Sequence, residues 1–421
     1  MKLDALQLRR RQVVVLWCGV TLSFFTSMSK ILVPGPIDGD LRALGLNVVE
    51  LSALAFGYYC AYAISQLALG AYSVRWGGVR LMLFGGSCFV VGSLLFPLGS
   101  LLPAGSAYWV MFAARMLTGL GAGTMFPGLA KLLSDLYTER FTLVFSVVMF
   151  ISYLGPICGR TPVLQLVKLV QWRWALEIMA LASLATFAVL AAAARGAVKP
   201  VMPGNSLTAL RKVFGSTRNL LIFMASSVVY GAYYVLPVVM GQKCLIDSGM
   251  TKDHAEYLLT ALAVMIAFGN LGTILLLRLF CGRRKLLLLF AGFCGLAGGL
   301  LGAAAFQWGL SLYAVVTAFV LVAVSVCFFS LQSLIVREIN PPELAGTSIS
   351  MLNFCAFVMI TACQPIAGMI LHRFETAASA AYPPAAYRDI FLFFTVLELI
   401  GLVCCFGVPE TRPAKVETRA S

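Results

Sequence analysis

Apolar positions along this chain do not alternate with polar ones; they run together. Twelve such stretches recur, centred near Cys18, Ala61, Val90, Thr118, Met149, Leu184, Val229, Ala267, Gly298, Val322, Met359 and Glu398. Each is about 20 residues long, enough for a helix rising 1.5 Å per residue to cross roughly 30 Å of hydrocarbon. Membrane barrels need short alternating strands instead, so every stretch predicts a helix. The longest polar interruption, GAVKPVMPGNSLTALRKVFGSTRN at 196–219, reads as a linker carrying a short amphipathic helix around Leu207–Val213. The expectation is an all-α integral membrane protein with twelve transmembrane helices in two six-helix pseudo-repeats around a central cavity. Its parts are bundles at 1–195 and 220–408, the linker at 196–219 and a tail at 409–421.

Composition agrees with a lipid environment: 60% of residues are hydrophobic and 11% charged, more apolar surface than a soluble core can hide. Lys and Arg crowd the N-terminus at Arg9, Arg10 and Arg11, the even-numbered connections and the tail. Both termini are therefore expected in the cytoplasm, with the chain in a bacterial inner membrane. The formal charge of +14 is largely this orientation bias, and no soluble segment is long enough to carry a nucleic-acid patch. An Arg triplet before an apolar run imitates a signal peptide. Leu16–Val33 nevertheless continues too long and ends in Pro34 and Pro36 without a small-residue cleavage site, so it reads as a retained first span. The 12 cysteines are scattered without a C-x-x-C pair, which suggests neither a disulfide framework nor a zinc site.

The two halves echo each other. RWGGVR at 75–80 corresponds to FCGRRK at 280–285, with Gly77 and Gly282 205 positions apart, and Glu139 finds a counterpart in Glu343, 204 positions later. Duplication of this kind is expected where two bundles rock around a central site.

YAISQLALGAYSVRWGGVR (62–80) resembles the loop between helices two and three of the major facilitator superfamily, G-x-L-x-D-R-x-G with a following base, preceded by the Tyr-x-x-x-Gln of many organic-anion members. RMLTGLGAG (115–123) resembles that family's helix-four motif R-x-x-x-G-x-G-x-G. PPELAGTSISMLNFCAFVMITACQPIAG (341–368) is similar to the start of the eleventh helix in anion:cation symporter-like members. Val74 stands where the family's loop has Asp. SYLGPICGR (152–160) keeps only Gly-Pro-x-x-Gly of the antiporter pattern, with Ile151 at an earlier glycine position. The resemblance implies secondary transport by a monomer without a cofactor. It gives Gly70, Arg75, Gly77, Arg80 and Arg283 gating roles, and it sets helices six and twelve outside the bundle.

A charge deep in lipid costs between about 2.5 and more than 10 kcal/mol, so embedded bases should face the protein interior or water. Lys30, Arg115 and Arg160 are embedded bases, against two embedded acids, Glu177 and Glu398. The resemblance puts the bases on cavity-lining helices one, four and five, which implies a net positive cavity suited to an organic anion. Two readings compete for each base. Arg115 could equally be a structural or gating residue, Lys30 lies near a span end and could snorkel to the interface, and Glu177 could reach Arg160. Polar candidates opposite the bases are Tyr153, Tyr230, Tyr234, Asn270, Asn353 and Gln364, although a buried tyrosine more often fills a core than touches a ligand. Pro237 and Pro365 are candidate kinks.

For coupling, Glu177 and Asp38 are the carboxylates available to carry a proton, since His254 and His372 fall in connections. Metal clusters, G-x-S-x-G and phosphate-loop motifs are absent from the sequence, so an enzyme is not expected. The partners implied are an anionic small molecule, the lipid bilayer and protons. Efflux of lipophilic or cationic compounds is the alternative, and a non-transporting nutrient sensor the second.

Overall fold

The computed structural model describes residues 5–33, 37–46, 48–137, 140–195, 206–280, 282–374 and 381–411. The described residues are helical with no strand. In chain order the helices are α1 (Ala5–Ser29), α2 (Asp38–Ala43), α3 (Val48–Gly99), α4 (Ala104–Leu136), α5 (Phe141–Cys158), α6 (Thr161–Val170), α7 (Trp172–Ala194) and α8 (Ser206–Phe214). They continue as α9 (Thr217–Tyr233), α10 (Gly241–Asp247), α11 (Lys252–Leu279), α12 (Arg284–Gln307), α13 (Leu312–Val326), α14 (Phe329–Ile339), α15 (Ala345–His372) and α16 (Pro384–Gly407). A π-helical turn, Tyr234–Met240, surrounds Pro237 between α9 and α10, whereas α15 runs through Pro365. The expected amphipathic helix of the linker is α8; residues 196–205, Glu139 and the tail from 412 lie outside the described residues.

The expected count of twelve spans in a six-plus-six arrangement is not what the described residues give. Nine helices are long and apolar enough to cross a membrane, and ten if α5 and α6, bent by 45°, form one span. With that bent pair counted as the run around Met149, two expected spans account for the remaining difference. The run around Ala61 is the first arm of α3, fused to the next run through a break at Gly77, and part of its side chains lie outside the described ones. The run around Thr118 is α4, where Arg115, Lys131 and closely spaced Gly and Thr residues dilute the apolar content below that of a plain lipid-crossing helix. α13 and α14 count together as one span, Leu312–Ile339.

Helices α1, α3, α4, α5 and α7 pack among themselves, as do α9, α11, α12, α13, α15 and α16; the two sets meet chiefly where α15 lies on α3 and α11 on α5. Glycine creates the tightest of these contacts. A Cβ at Gly119 would meet the Tyr58 backbone, one at Gly123 would come within 2.6 Å of the Tyr62 carbonyl, and one at Gly121 would sit 2.8 Å from the Phe89 Cα. The three glycines of RMLTGLGAG thus seat α4 between the two arms of α3. Gly77 itself has φ 73° and ψ 159°, a conformation essentially confined to glycine. Gly282 has φ 71°, so both glycines paired in the sequence echo hold positive φ.

Candidate functional site

Where the two helix sets meet, an aromatic box surrounds Lys30, the residue that follows α1. Its Nζ lies 4.8 Å from the Tyr62 ring centroid and 5.1 Å from that of Phe357. The two rings are 4.0 Å apart, which joins α3 to α15. Tyr59 and Tyr234 close the box, each within 6.3 Å of Phe357, and the Tyr59 hydroxyl donates to the Lys30 carbonyl at 3.2 Å. Asn353 donates from Nδ2 to the Tyr62 hydroxyl at 3.1 Å. One helical turn along α9, Tyr230 stacks near Tyr234, and its hydroxyl lies 2.8 Å from that of Tyr153 on α5. Lys30, Tyr153, Tyr230, Tyr234 and Asn353 therefore come together, drawn from both sets. A cation over aromatic faces is held by the ring quadrupoles, a contact worth about 2 kcal/mol when desolvated. That contact leaves the charge uncompensated, and among the described residues the Lys30 ammonium has no carboxylate partner.

The other two bases stand elsewhere. Arg160, between α5 and α6, makes an ion pair across the sets, Nη1 lying 3.4 Å from Glu256 Oε2 on α11, rather than reaching Glu177. Arg115 is 3% exposed. It stacks on Tyr58 at 4.5 Å and donates from Nη1 to the Ser29 carbonyl and hydroxyl at 3.1 and 3.3 Å. Asn270 is fully buried, donating to the Ile266 carbonyl and accepting from the Ser330 N–H and hydroxyl, so it pins α11 to the break between α13 and α14. Gln364 is half-buried on α15, three turns beyond Asn353. Glu177 is half-buried on α7, its Oε1 without a partner among the described residues. Glu398 is 1% exposed and packs against Gly295 of α12, away from the box. Asp38 lies in α2, Gly70 and Arg75 in α3; their side chains lie outside the described ones.

At the echoed loops, Arg80 has a buried Nη1 without a partner among the described residues, and Arg283 is exposed. It is the neighbouring Arg284 that holds Glu338 side-on, at 3.1 Å from Nε and 2.9 Å from Nη2, while its backbone N–H donates to Glu410 at 2.7 Å. Sequence reasoning passed over Arg284, Glu256, Tyr59 and Phe357. Tyr62 was visible only as half of Tyr-x-x-x-Gln, whose other half, Gln66, donates to the Gly123 carbonyl and so helps fix α3 on α4. The aromatic run at 56–62 was the signal that could have pointed to the box.

A multi-pass helical protein with a cationic, aromatic site between two helix sets has the layout of a membrane transporter. Residues 15–363 match the Major Facilitator Superfamily, and the chain belongs to that superfamily: it is an integral membrane protein of the transporter class, not an enzyme. No curated protein matches the chain.

Proposed function

We propose that this transporter carries a small organic anion by alternating access. In this reading the regions 1–195 and 220–408 rock about the aromatic box, the segment 196–219 links them, and both termini face the cytoplasm of the inner membrane. The observation that carries it is Lys30: a cation at the junction of the helix sets, framed by Tyr62 and Phe357 and lacking a carboxylate partner among the described residues. In a site of low dielectric such a charge favours an anionic occupant, while Tyr153, Tyr230, Tyr234 and Asn353 offer hydroxyl and amide groups for its polar atoms. A proton accompanies the anion in the same reading, with Glu177 and Asp38 as the available carboxylates.

Uptake into proteoliposomes from a panel of carboxylates, phosphates, sugars, amino acids and organic cations tests the proposal. Anions are expected to be taken up. Lys30→Gln should slow that uptake by about 10- to 100-fold, the worth of one charge-assisted hydrogen bond, with partial recovery in Lys30→Arg. Uptake confined to cations or lipophiles, or undiminished in Lys30→Gln, overturns it. A protonophore should lower accumulation; an unchanged rate removes the proton from the mechanism and leaves the anion in place.

A further inference from the structure

The three embedded bases differ in one chemical respect. Arg115 and Arg160 carry guanidinium groups, which stay charged, whereas Lys30 carries an amine that gives up its proton when its surroundings cannot support the charge. Arg160 has Glu256 for a partner, and Arg115 is held within the first set by Tyr58 and Ser29. Of the three, the base at the junction of the sets, between Tyr62 of α3 and Phe357 of α15, is the one able to discharge. Its side chain is half-buried rather than sealed, as a group must be that takes its proton from water.

Nothing around this amine offsets its charge. From α3 come the phenols Tyr59 and Tyr62, and from the π-helical turn Tyr234. Tyr153 of α5 and Tyr230 of α9 spend one hydroxyl proton on each other, and α15 brings the uncharged Asn353 and Phe357. On the side of α4 stands Arg115, a like charge, reached through Ser29. The carboxylate on α11, Glu256, is engaged by Arg160. Ring quadrupoles stabilise a desolvated ammonium by about 2 kcal/mol, against a cost between about 2.5 and more than 10 kcal/mol for a charge at membrane depth. Water hydrates an ammonium but brings no opposite charge. An anion does, and a neutral amine needs none.

We propose that Lys30 is itself the proton carrier of the transport cycle, binding the anion as an ammonium and returning across the membrane as a neutral amine. This rests on the reading of the aromatic box as an anion site, and it moves the coupled proton from a carboxylate to the base that holds the anion. Facing the side of uptake, the amine takes one proton from water on Nζ, and the ammonium pairs with the anion. Facing the cytoplasm, the anion leaves, Nζ gives the proton back to water, and the amine returns uncharged. One N–H bond forms and one breaks in each cycle, so one proton accompanies each anion and a monoanion moves without net charge. Glu177 is poorly placed for this duty, since α7 packs against α1, α3 and α6, all within the first half of the chain.

Proteoliposomes holding the full-length protein test the assignment, with labelled gluconate, hippurate and glycerol phosphate as probes. Two modes are compared: accumulation under an inward proton gradient, and exchange with the same anion on both sides. Wild type should perform both. Lys30→Arg keeps a cation that cannot discharge, so it should still exchange, slowed by about 10-fold or less through the altered charge-assisted contact, while accumulation falls to that of protein-free vesicles. The uptake this variant recovers is thus exchange. Carbon-13 methylation of the wild-type amines, with the Lys30 signal assigned by its absence in Lys30→Gln, reads the same property without transport. In the empty protein Lys30 should lose its proton at least about 1 pH unit below the exposed lysines. Should Lys30→Arg lose exchange as well, this wild-type signal decides. Accumulation retained in Lys30→Arg but lost in Glu177→Gln or Asp38→Asn, or a Lys30 signal that titrates with the exposed lysines, overturns the inference and leaves anion transport standing. A wild type that moves none of the probes removes the transport reading and this inference with it, a failure seen before Lys30 is altered.

Discussion

Tyr153 and Tyr230 share one hydrogen bond at 2.8 Å between α5 and α9. One of the two hydroxyls donates, and the other keeps its own proton for a further acceptor. Inside a membrane such bonds contribute modestly, about 0.6 kcal/mol on average, because an unfolded helix in lipid also finds partners. Tyr153→Phe and Tyr230→Phe should therefore each lower stability slightly. Their double-mutant cycle, measured by denaturant unfolding in detergent, should return a coupling near that size. Strict additivity would mean that the two hydroxyls do not bond in the resting protein. Tyr153, Tyr230 and Tyr234 were legible as candidates because polar groups in apolar runs stand out. Phe357, which completes the box, was not: nothing in a Phe within an apolar run separates a binding wall from packing. Lys30 was ambiguous for the complementary reason, since only the fold tells whether a basic residue at a span end turns outward to the interface or inward to Tyr62 and Phe357.

Helix identity was legible from the apolar runs, while helix count was not. Gly77 explains part of this. The sequence RWGGVR reads as a loop, yet the chain turns there at a single residue with φ 73° and ψ 159° and resumes helix at once, so two expected elements become the arms of α3. Gly77→Ala introduces a Cβ into a conformation that alanine tolerates poorly; the expected loss is about 1 to 3 kcal/mol, read as a lowered melting temperature. An unchanged melting temperature would show that the break can relax. Gly119 is under a different constraint. Its helical backbone would accept alanine, but the added methyl would press on the Tyr58 backbone, 2.9 Å from its carbonyl carbon. Gly119→Ala should therefore separate α4 from the first arm of α3 and cost about 1 to 3 kcal/mol through overpacking. It should also shift Tyr58 against the Arg115 guanidinium on which it stacks. A lowered melting temperature is the expected result; an unchanged one would mean that the two helices have room to part.

Contacts between the helix sets hold the two together, and here the sequence was least informative. Glu256 lies four residues after Lys252, at the beginning of α11, in a stretch that reads as the edge of a connection; its partner Arg160 is 96 positions away. No local pattern carries that pairing. The pair is partly exposed, at 15% and 27% of side-chain area, so its own worth is discounted by solvent and lies near the 0 to 1 kcal/mol of surface pairs, by general experience about the median. Reversing one partner does more than remove the pair, because it sets like charges against each other at the junction of α5 with α11. At an effective dielectric of about 20, two unit charges near 4 Å repel by roughly 4 kcal/mol before relaxation and salt screening reduce it. Arg160→Glu and Glu256→Arg should each weaken this contact and slow uptake in proteoliposomes, more at low salt than at high. The double exchange, Arg160→Glu with Glu256→Arg, restores opposite charges and should recover most of the rate. Recovery identifies the pair as a latch between the sets. Failure of the exchange, with both singles impaired, would instead assign Arg160 a contact that depends on its own charge and position.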